Sequence, residues 1–120
     1  MQFEIREEPL TVLAEYAQIP ISFEVSRILD IEYNANVPGG FALLERTLDA
    51  PYIKNYDAIE GPSQWTNRFD LSRWGLLAAH SEGICVGGAA VACSIPDLDL
   101  FDGRTDVAVL WDIRVLPAVR

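Results

Sequence analysis

The alternation of hydrophobic and polar residues at the start of the chain predicts a strand followed by a short helix. Phe3 and Ile5 alternate with polar neighbours, which is typical of a strand with one exposed face. Pro9 suits the first position of a helix, and Pro20 ends that helix. The helix would bury one apolar face, made of Leu10, Leu13, Ala14 and Ala17.

The next forty residues contain a second alternating stretch, for which two interpretations stay open. From Ile21 to Ile31 the period-two pattern favours a strand, and a helix is the alternative. Residues 34–40, rich in Asn, Pro and Gly, predict a turn. Phe41–Leu48 is predicted to return as a second strand, and Asp49–Gly61 to form an ordered loop.

Two apolar runs in the second half of the chain give the clearest structural prediction. Trp74–His80 and Ile84–Ser94 are joined by Ser-Glu-Gly, which predicts a β-hairpin with both strands inside a sheet. Before this hairpin, Pro62–Phe69 suits a short helix that begins at its proline. After the hairpin, residues 96–103, with three Asp and a final Asp-Gly, predict a polar connection to the last strand.

The last fourteen residues predict a buried strand that carries charges. One face is apolar at period two and consists of Val107, Val109, Trp111, Ile113 and Val115. Asp112 and Arg114 interrupt the opposite face, which is otherwise apolar. Because a charge inside a buried strand needs a partner or a function, these two residues are candidates for a site.

The composition is that of a soluble globular protein. Of 120 residues, 50% are hydrophobic and 22% charged, which predicts one domain with a substantial core. The apolar stretches are too short and too rich in Gly to span a bilayer as helices. The N-terminus lacks the basic start and apolar region of a secretory signal. We therefore expect no membrane segment and a cytoplasmic location.

The cysteines and the single histidine predict neither a disulfide nor a metal site. Cys85 and Cys93 fall on one apolar run, where eight residues of strand would separate them by roughly 26 Å. His80 is the only histidine, so the usual zinc ligand set is missing. Both thiols are expected to be small buried hydrophobic groups.

The charge is strongly negative and uneven. The net charge is −9, and residues 1–60 carry 11 acids against four bases. This balance disfavours binding to nucleic acid, which needs clustered Lys and Arg, and it would attract a cationic amine. An acidic surface that only keeps the protein soluble is the alternative interpretation.

The last strand leads into Val115-Leu-Pro-Ala-Val-Arg120, a Val-x-Pro-x-x-Arg pattern, and Gly83–Val91 forms a Gly-rich middle strand. In this order the two segments resemble the GNAT superfamily of N-acetyltransferases, in which an Arg or Gln at this place opens an R-x-x-G-x-G loop. The resemblance implies an α+β fold, mainly antiparallel sheet with flanking helices. It also implies an acetyl-CoA-dependent transfer of an acetyl group to an amine.

By this resemblance Arg120 is the first residue of the coenzyme A loop, and residues 1–120 are the N-terminal part of a single GNAT domain. In the family the glycines of the loop and the helix behind them hold the pyrophosphate through backbone N–H groups. Those glycines do not follow Arg120 here. We therefore expect a partial domain that is inactive by itself.

The resemblance also implies which residues hold acetyl-CoA. In the family the strand before the loop binds the pantetheine arm and the thioester carbonyl through its backbone. By position these groups belong to Ile113, Arg114 and Val115, with Arg120 beyond them. A fixed N–H would stabilise the oxyanion that forms when an amine attacks the thioester. The alternative is that the three residues are ordinary strand.

Three side chains are candidates for the acceptor side of the reaction. Asp112 could act as the base that deprotonates the amine, or it could pair with a neighbouring Arg. Trp65 and Trp74 lie where the family places the variable wall of the acceptor pocket, and core packing is their alternative role. His80 stands beside Ser81 on a predicted exposed turn, where adjacent residues do not converge as a catalytic triad does.

Two expectations about partners follow. The acceptor would be an amine of a small molecule or peptide, with no nucleic acid and no membrane involved. The exposed edge of the last strand would favour self-association or complementation by a missing half. The rival interpretation is a non-catalytic α+β domain that binds a small ligand or a protein and does not bind coenzyme A.

Overall fold

The structure is a computed structural model and describes residues 2–93 and 102–120. The chain divides into two compact units, one formed by Met1–Ile21 with Tyr56–Arg120 and the other by Ser22–Asn55. In chain order the described strands are β1 (Glu4–Glu8), β2 (Phe23–Tyr33), β3 (Phe41–Lys54), β4 (Gly75–Ser81), β5 (Ile84–Ala92) and β6 (Val109–Val115). The helices are α1 (Leu13–Tyr16) and α2 (Trp65–Arg68).

The first unit is built on a four-stranded antiparallel sheet in the order β1-β4-β5-β6. The predicted hairpin is confirmed, since β4 and β5 pair directly and occupy the two central positions. Its turn needs positive φ at Glu82 (52°) and at Gly83 (79°), and glycine adopts that conformation without strain. The sheet is therefore organised around the two most apolar runs of the sequence.

Short helices cover one side of this sheet and enclose the core. Each helix follows a 3-10 turn, Leu10–Val12 before α1 and Pro62–Gln64 before α2, so the predicted positions of both helices are confirmed. Nine of the buried hydrophobic residues that the structure describes form one cluster: Leu13, Tyr16, Ile19, Trp65, Leu71, Trp74, Leu76, Ala90 and Ala92. The core thus lies between the helices and the face of the sheet that they cover.

The buried face of α1 differs from the prediction. Leu13 faces the core as predicted, but Ala14 is exposed, and Tyr16 and Ile19 are buried in its place. The helix has a single turn, so Leu13 and Tyr16, three residues apart, face the core together. Ile19 follows at the same spacing beyond the end of the helix. Tyr16 therefore reaches the sheet, which the apolar pattern did not indicate.

The last strand contains a β-bulge near its centre. Asp112 pairs with Ala90, whereas Leu110 pairs with Val91, so Trp111 is one extra residue in β6. Such a bulge shifts the alternation by one position. Val109 and Arg114 consequently lie on the same face of the sheet.

The prediction that the apolar face of the last strand is buried is therefore wrong beyond the bulge. Arg114 is 3% exposed, whereas Ile113 is 59% exposed. The strand also begins at Val109, not at Val107. The charged side chains point into the protein, and the apolar ones point out.

The second unit is a long antiparallel hairpin of β2 and β3. The strand interpretation of the second alternating stretch is confirmed, and its helical alternative is wrong. The turn prediction for residues 34–40 is also confirmed, because the Asn34 N–H donates to the Gly40 carbonyl at 2.8 Å.

The predicted loop at Asp49–Gly61 is wrong over residues 49–54, which continue β3. Between Val25 and Arg27 the pairing of the two strands is irregular, so residues 48–51 of β3 have no direct partner. Pro51 lies in this gap, where the missing N–H of proline removes no ladder hydrogen bond. The proline and the acids around it had suggested a loop.

The predicted polar connection at residues 96–103 lies outside the described residues apart from its last two. In residues 2–93 and 102–120, no helix has the length and the apolar character needed to cross a membrane.

Candidate active site

The two charges of the last strand belong to a buried network centred on Arg114. Its guanidinium donates to both carboxylate oxygens of Asp112 at 2.8 and 2.9 Å, and to both of Asp57 at 3.0 and 3.1 Å. A further bond of 2.9 Å reaches the Ile19 carbonyl. The Arg114 side chain is only 1% exposed. Two bidentate pairs at such burial fix its position tightly.

Tyr16 joins this network from α1. Its hydroxyl donates to Asp112 Oδ1 at 2.7 Å and lies 3.4 Å from the Gly88 carbonyl. The Arg114 guanidinium carbon stands 5.2 Å from the centre of the Tyr16 ring, within the range of a cation–π contact. The network therefore ties α1 to β5 and β6.

The electrostatics of the network shift the pKa values of Arg114 and Tyr16. Burial lowers the pKa of Arg114, but hydrogen bonds to Asp112 and Asp57 outweigh burial and raise this pKa above its ordinary value. Burial, and then the hydrogen bond to Asp112, raise the pKa of Tyr16 far above its ordinary value. Arg114 is thus charged and Tyr16 neutral throughout the physiological range.

Asp112 has the contacts of a structural residue. Its Oδ1 accepts from Tyr16 and Arg114, its Oδ2 accepts from Arg114, and its side chain is 11% exposed. A general base needs an accessible lone pair within reach of the proton that it removes. The catalytic role of Asp112 stays a prediction, and its contacts are those of the alternative, pairing with an Arg.

The backbone of β6 directs two of its N–H groups to the outer edge of the sheet. The Leu116 N–H donates to the Val86 carbonyl at 2.8 Å, and from there the register pairs Val115 with Gly87. Antiparallel ladders alternate hydrogen-bonded and non-hydrogen-bonded pairs. The N–H groups of Val115 and Ile113 therefore point away from β5, towards an edge with which no described strand pairs.

Arg114 follows the opposite alternation and faces Gly88 in a hydrogen-bonded pair. Its backbone N–H is therefore used within the sheet. Acetyl-CoA binding by the backbone of the three predicted residues stays a prediction; of the three, Ile113 and Val115 direct their N–H groups to the outer edge. Arg114 does not, and it contributes a side chain behind the edge.

Arg120 lies at the end of this edge. Its Nε donates to the Val115 carbonyl at 2.8 Å, and its Nη2 donates to the Pro20 carbonyl at 2.7 Å. A 3-10 turn, Pro117–Val119, brings the chain back to make these contacts. A positive charge is thereby held beside the outward N–H groups.

The face of the sheet opposite α1 carries an apolar pocket of about 350 Å³. It adjoins the outer edge through Ile113 and Val115, and Phe3 and Ile5 of the N-terminal segment border it on the far side. Gly87 also lines the pocket, where it adds no side chain.

Trp65 and Trp74, predicted to line the acceptor pocket, are packed in the core. They are 4% and 7% exposed, and their rings lie 5.8 Å apart. Phe69 and Trp111 contact Trp74 at 5.5 Å each and complete an aromatic cluster. Substrate binding by the two residues stays a prediction, and their burial favours core packing.

His80 and the cysteines also differ from expectation. His80 is on β4 with its side chain 14% exposed, and its Nε2 lies 3.9 Å from Glu8, so the predicted exposed turn position is wrong. Cys85 and Cys93 are free and only half-buried. Burial raises the pKa of the Cys85 thiol. Within the described ranges, no three His, Cys, Asp or Glu side chains converge as a metal site.

Sequence reasoning missed Tyr16 and Asp57. Tyr16 lies in the predicted first helix but not on its predicted apolar face, and Asp57 lies in the predicted loop at Asp49–Gly61. The one signal that could have found them is Arg114 itself, since a buried Arg needs more acceptors than a single Asp provides. Nothing in the sequence identifies which distant residues supply those acceptors.

Two solved structures resemble the chain over its whole length. Nourseothricin acetyltransferase matches 100% of this chain and 58% of its own, with a TM-score of 0.62 and 18% identity. A protein assigned as a streptothricin acetyltransferase of Bacillus anthracis str. Ames, solved with acetyl coenzyme A, matches 99% of this chain and 59% of its own. Its TM-score is 0.61, at 16% identity. The chain thus spans under two thirds of each structure.

The fold is α+β and GNAT-like. This was the prediction from the sequence, and it is confirmed. No family model matches the sequence, and no curated protein matches it. At these identities the likeness establishes the fold alone.

Proposed function

We propose that the chain forms the donor-binding part of an acetyltransferase that moves an acetyl group from acetyl-CoA to an amine. The observation that carries this proposal is the outer edge of β6, where the backbone N–H groups of Ile113 and Val115 face outward. The buried network of Arg114 fixes this edge from behind. The likeness to two acetyltransferases, one solved with acetyl coenzyme A, supports the proposal.

The outward N–H groups suit the chemistry of the reaction. The amine nitrogen attacks the thioester carbon, a C–N bond forms, and the carbonyl oxygen becomes an oxyanion. An N–H group already fixed in direction stabilises that charge without reorganisation. The intermediate collapses as the C–S bond breaks, and the proton lost by the amine balances the proton that the coenzyme A thiolate takes up.

The charges of the chain suit both substrates. Arg120 places a cation at the end of the edge, where it would attract the phosphates of the donor. The net charge of −9 would attract a cationic amine of a small molecule or peptide. In this proposal Asp112 and Arg114 are positioning residues that hold β6, and the backbone makes the contact with the thioester.

Removing one N–H group tests the proposal. Ile113→Pro deletes an outward donor and no ladder bond, because proline is tolerated where an edge N–H faces outward. Ile113→Ala keeps the N–H and is the matched control. Loss of one oxyanion donor lowers turnover by roughly 10²–10³. The natural polypeptide should be assayed, with its intact mass compared with the 13.3 kDa of these residues.

The readouts are acetyl-CoA binding by calorimetry and thiol release with a panel of amines. We expect binding by the natural protein, retained activity in Ile113→Ala and strong loss in Ile113→Pro, with circular dichroism showing that all three are folded. Absence of acetyl-CoA binding by the natural protein contradicts the proposal. Equal activities of the two variants contradict the role of the edge.

The apolar pocket favours a second candidate, a non-catalytic domain that binds a small apolar ligand. Its lining is almost free of polar side chains, which suits burial of an apolar group. Such a domain would bind a fluorescent apolar probe and would not bind acetyl-CoA.

Another chain that pairs with the outer edge of β6 would compete with the acetyl-CoA donor for the same N–H groups. Added acetyl-CoA should therefore dissociate any assembly formed at this edge.

A further inference from the structure

One face of the β2–β3 hairpin is apolar and largely exposed. The register pairs Ile31 with Leu43 and Tyr33 with Phe41, and Leu29 lies two residues before Ile31 on the same face. These five residues, which we call the hairpin face, are 60% to 74% exposed. Tyr33 and Phe41 pack edge to face at 5.9 Å and form its outer end.

An open apolar face on a two-stranded hairpin needs a partner. An isolated two-stranded hairpin is marginally stable in water, and stability usually requires further packing on its apolar side. Contiguous exposed apolar surface of this kind marks an interaction site. The chemistry of the partner can be argued from the charges around the face and from its area.

The hairpin face is electrically neutral on a strongly acidic protein. Its charged neighbours on the same side are Arg27 and Glu45, which pair with each other at 2.9 Å. Asp30, Glu32 and Arg46 lie on the opposite side. With a net charge of −9, two copies of the chain repel each other over most of their surface. At the hairpin face they meet without that repulsion.

The area of the face also suits a second copy. An aromatic side chain buries roughly 150–250 Å², so Tyr33 and Phe41, at 74% and 64% exposure, offer on the order of 200–350 Å² between them, and the three aliphatic side chains add to this area. A specific interface buries about 800 Å² per partner. The hairpin face therefore suits the apolar centre of such an interface, with the Arg27–Glu45 pair in its polar rim.

We propose that the hairpin face is the interface of a homodimer. Two copies would meet face to face about a two-fold axis, so that each apolar patch covers an identical one. The proposed interface uses residues of the second unit and the proposed acetyl transfer uses residues of the first, so each proposal stands or falls by its own test.

Sedimentation equilibrium of the purified protein tests the interface. Concentrations should extend to about 100 µM, because interfaces of standard size have dissociation constants in the micromolar range or below. Ile31→Lys places a charge at the centre of the hairpin face. Glu32→Lys, one residue away on the opposite side, is the matched control. Ile5→Lys alters the apolar pocket of the four-stranded sheet. Because each substitution occurs twice in a dimer, Ile31→Lys should raise the dissociation constant roughly a hundredfold or more.

A dimer that is weakened by Ile31→Lys and by neither other variant supports the proposal. A natural protein that stays monomeric overturns it. A dimer weakened instead by Ile5→Lys, or by none of the three, overturns it as well, because the interface then lies at the pocket or at the edge of β6.

A second measurement covers the case in which Ile31→Lys does not fold. Under mild oxidation, Ile31→Cys should give a disulfide-linked dimer, since the two-fold axis brings the central residues together. Glu32→Cys, with the same native cysteines, should give only the background level. Equal cross-linking of the two variants overturns the proposal.

Discussion

Replacing Arg114 with methionine would measure how strongly the buried network stabilises the first unit. Methionine keeps an unbranched apolar stem but removes a guanidinium that donates five hydrogen bonds. The carboxylates of Asp57 and Asp112, with side chains 24% and 11% exposed, lose the positive charge that faces them. The substitution thus leaves negative charge in a poorly solvated place.

The expected loss in the free energy of unfolding is about 3 kcal/mol. Removing one partner of a buried ion pair costs roughly 3–5 kcal/mol. The lower figure applies because water reaches Asp57 and because Tyr16 still donates to Asp112. The free energy of unfolding of a whole domain is roughly 5–15 kcal/mol, so the variant should still fold. Adding Asp112→Asn removes one of the two carboxylate charges that have lost the guanidinium, and it should restore part of the lost free energy of unfolding.

Urea unfolding followed by tryptophan fluorescence is the assay, and the midpoint should fall by about 1–2 M for a slope near 2 kcal/mol/M. Arg104→Met is the control, because Arg104 pairs with Asp106 on the surface, where both side chains are more than 60% exposed. That pair should contribute less than about 1 kcal/mol. If Arg114→Met lost no more stability than Arg104→Met, the network would not stabilise the fold and the reasoning would be refuted.

Three further outcomes are expected. Gly88→Ala should lower the melting temperature by several degrees, a loss of roughly 2 kcal/mol in the free energy of unfolding, because a Cβ there would stand 2.4 Å from the Leu77 carbonyl oxygen. Gly75→Ala should leave the melting temperature unchanged, because no atom of the described residues beyond its chain neighbours lies within 4 Å of a Cβ at that position. Because the pKa of Tyr16 is raised in the folded state, the unfolded chain loses this proton first. Stability should therefore fall as pH rises through 10, and Tyr16→Phe should reduce that fall in urea titrations at pH 8 and above pH 10. Since burial raises the pKa of Cys85, iodoacetamide followed by peptide mapping should show it reacting more slowly at pH 8 than a small free thiol; a faster reaction would contradict the burial of this thiol.

The parts of the fold that could be predicted from sequence are those that local signals determine. The β4–β5 hairpin follows from two apolar runs around a Gly turn, and the turn at residues 34–40 follows from its Asn and Gly residues. The orientation of β6 beyond Trp111 could not be predicted, because one bulged residue reverses the alternation and leaves no signal in composition. The end of β3 was missed for a different reason: Pro51 and the acids around it are typical of a loop, but the proline lies where the register leaves β3 without a direct partner.

The candidate site was predictable only in part. The resemblance to acetyltransferases located it on the last strand, and Ile113 and Val115 have the orientation that the resemblance implies. The partners of Arg114 come from α1 and from the segment before α2, and such distant contacts depend on tertiary packing. Backbone donors themselves have no side-chain signature, so only their register distinguishes them.

That register connects the buried charges to the proposed chemistry. In β6 the residues whose side chains enter the network, Asp112 and Arg114, direct their backbone groups to β5, and the residues between and after them direct theirs outward. A slip of one residue would turn Arg114 out of the network and would exchange the inward and outward N–H groups at the same time. The slipped state would leave the Asp57 carboxylate without this bidentate partner. The network therefore makes the observed register more stable than the slipped one by several kcal/mol. The side chains of Arg114 and Asp112 therefore determine which N–H groups a thioester would meet, although neither side chain needs to touch it.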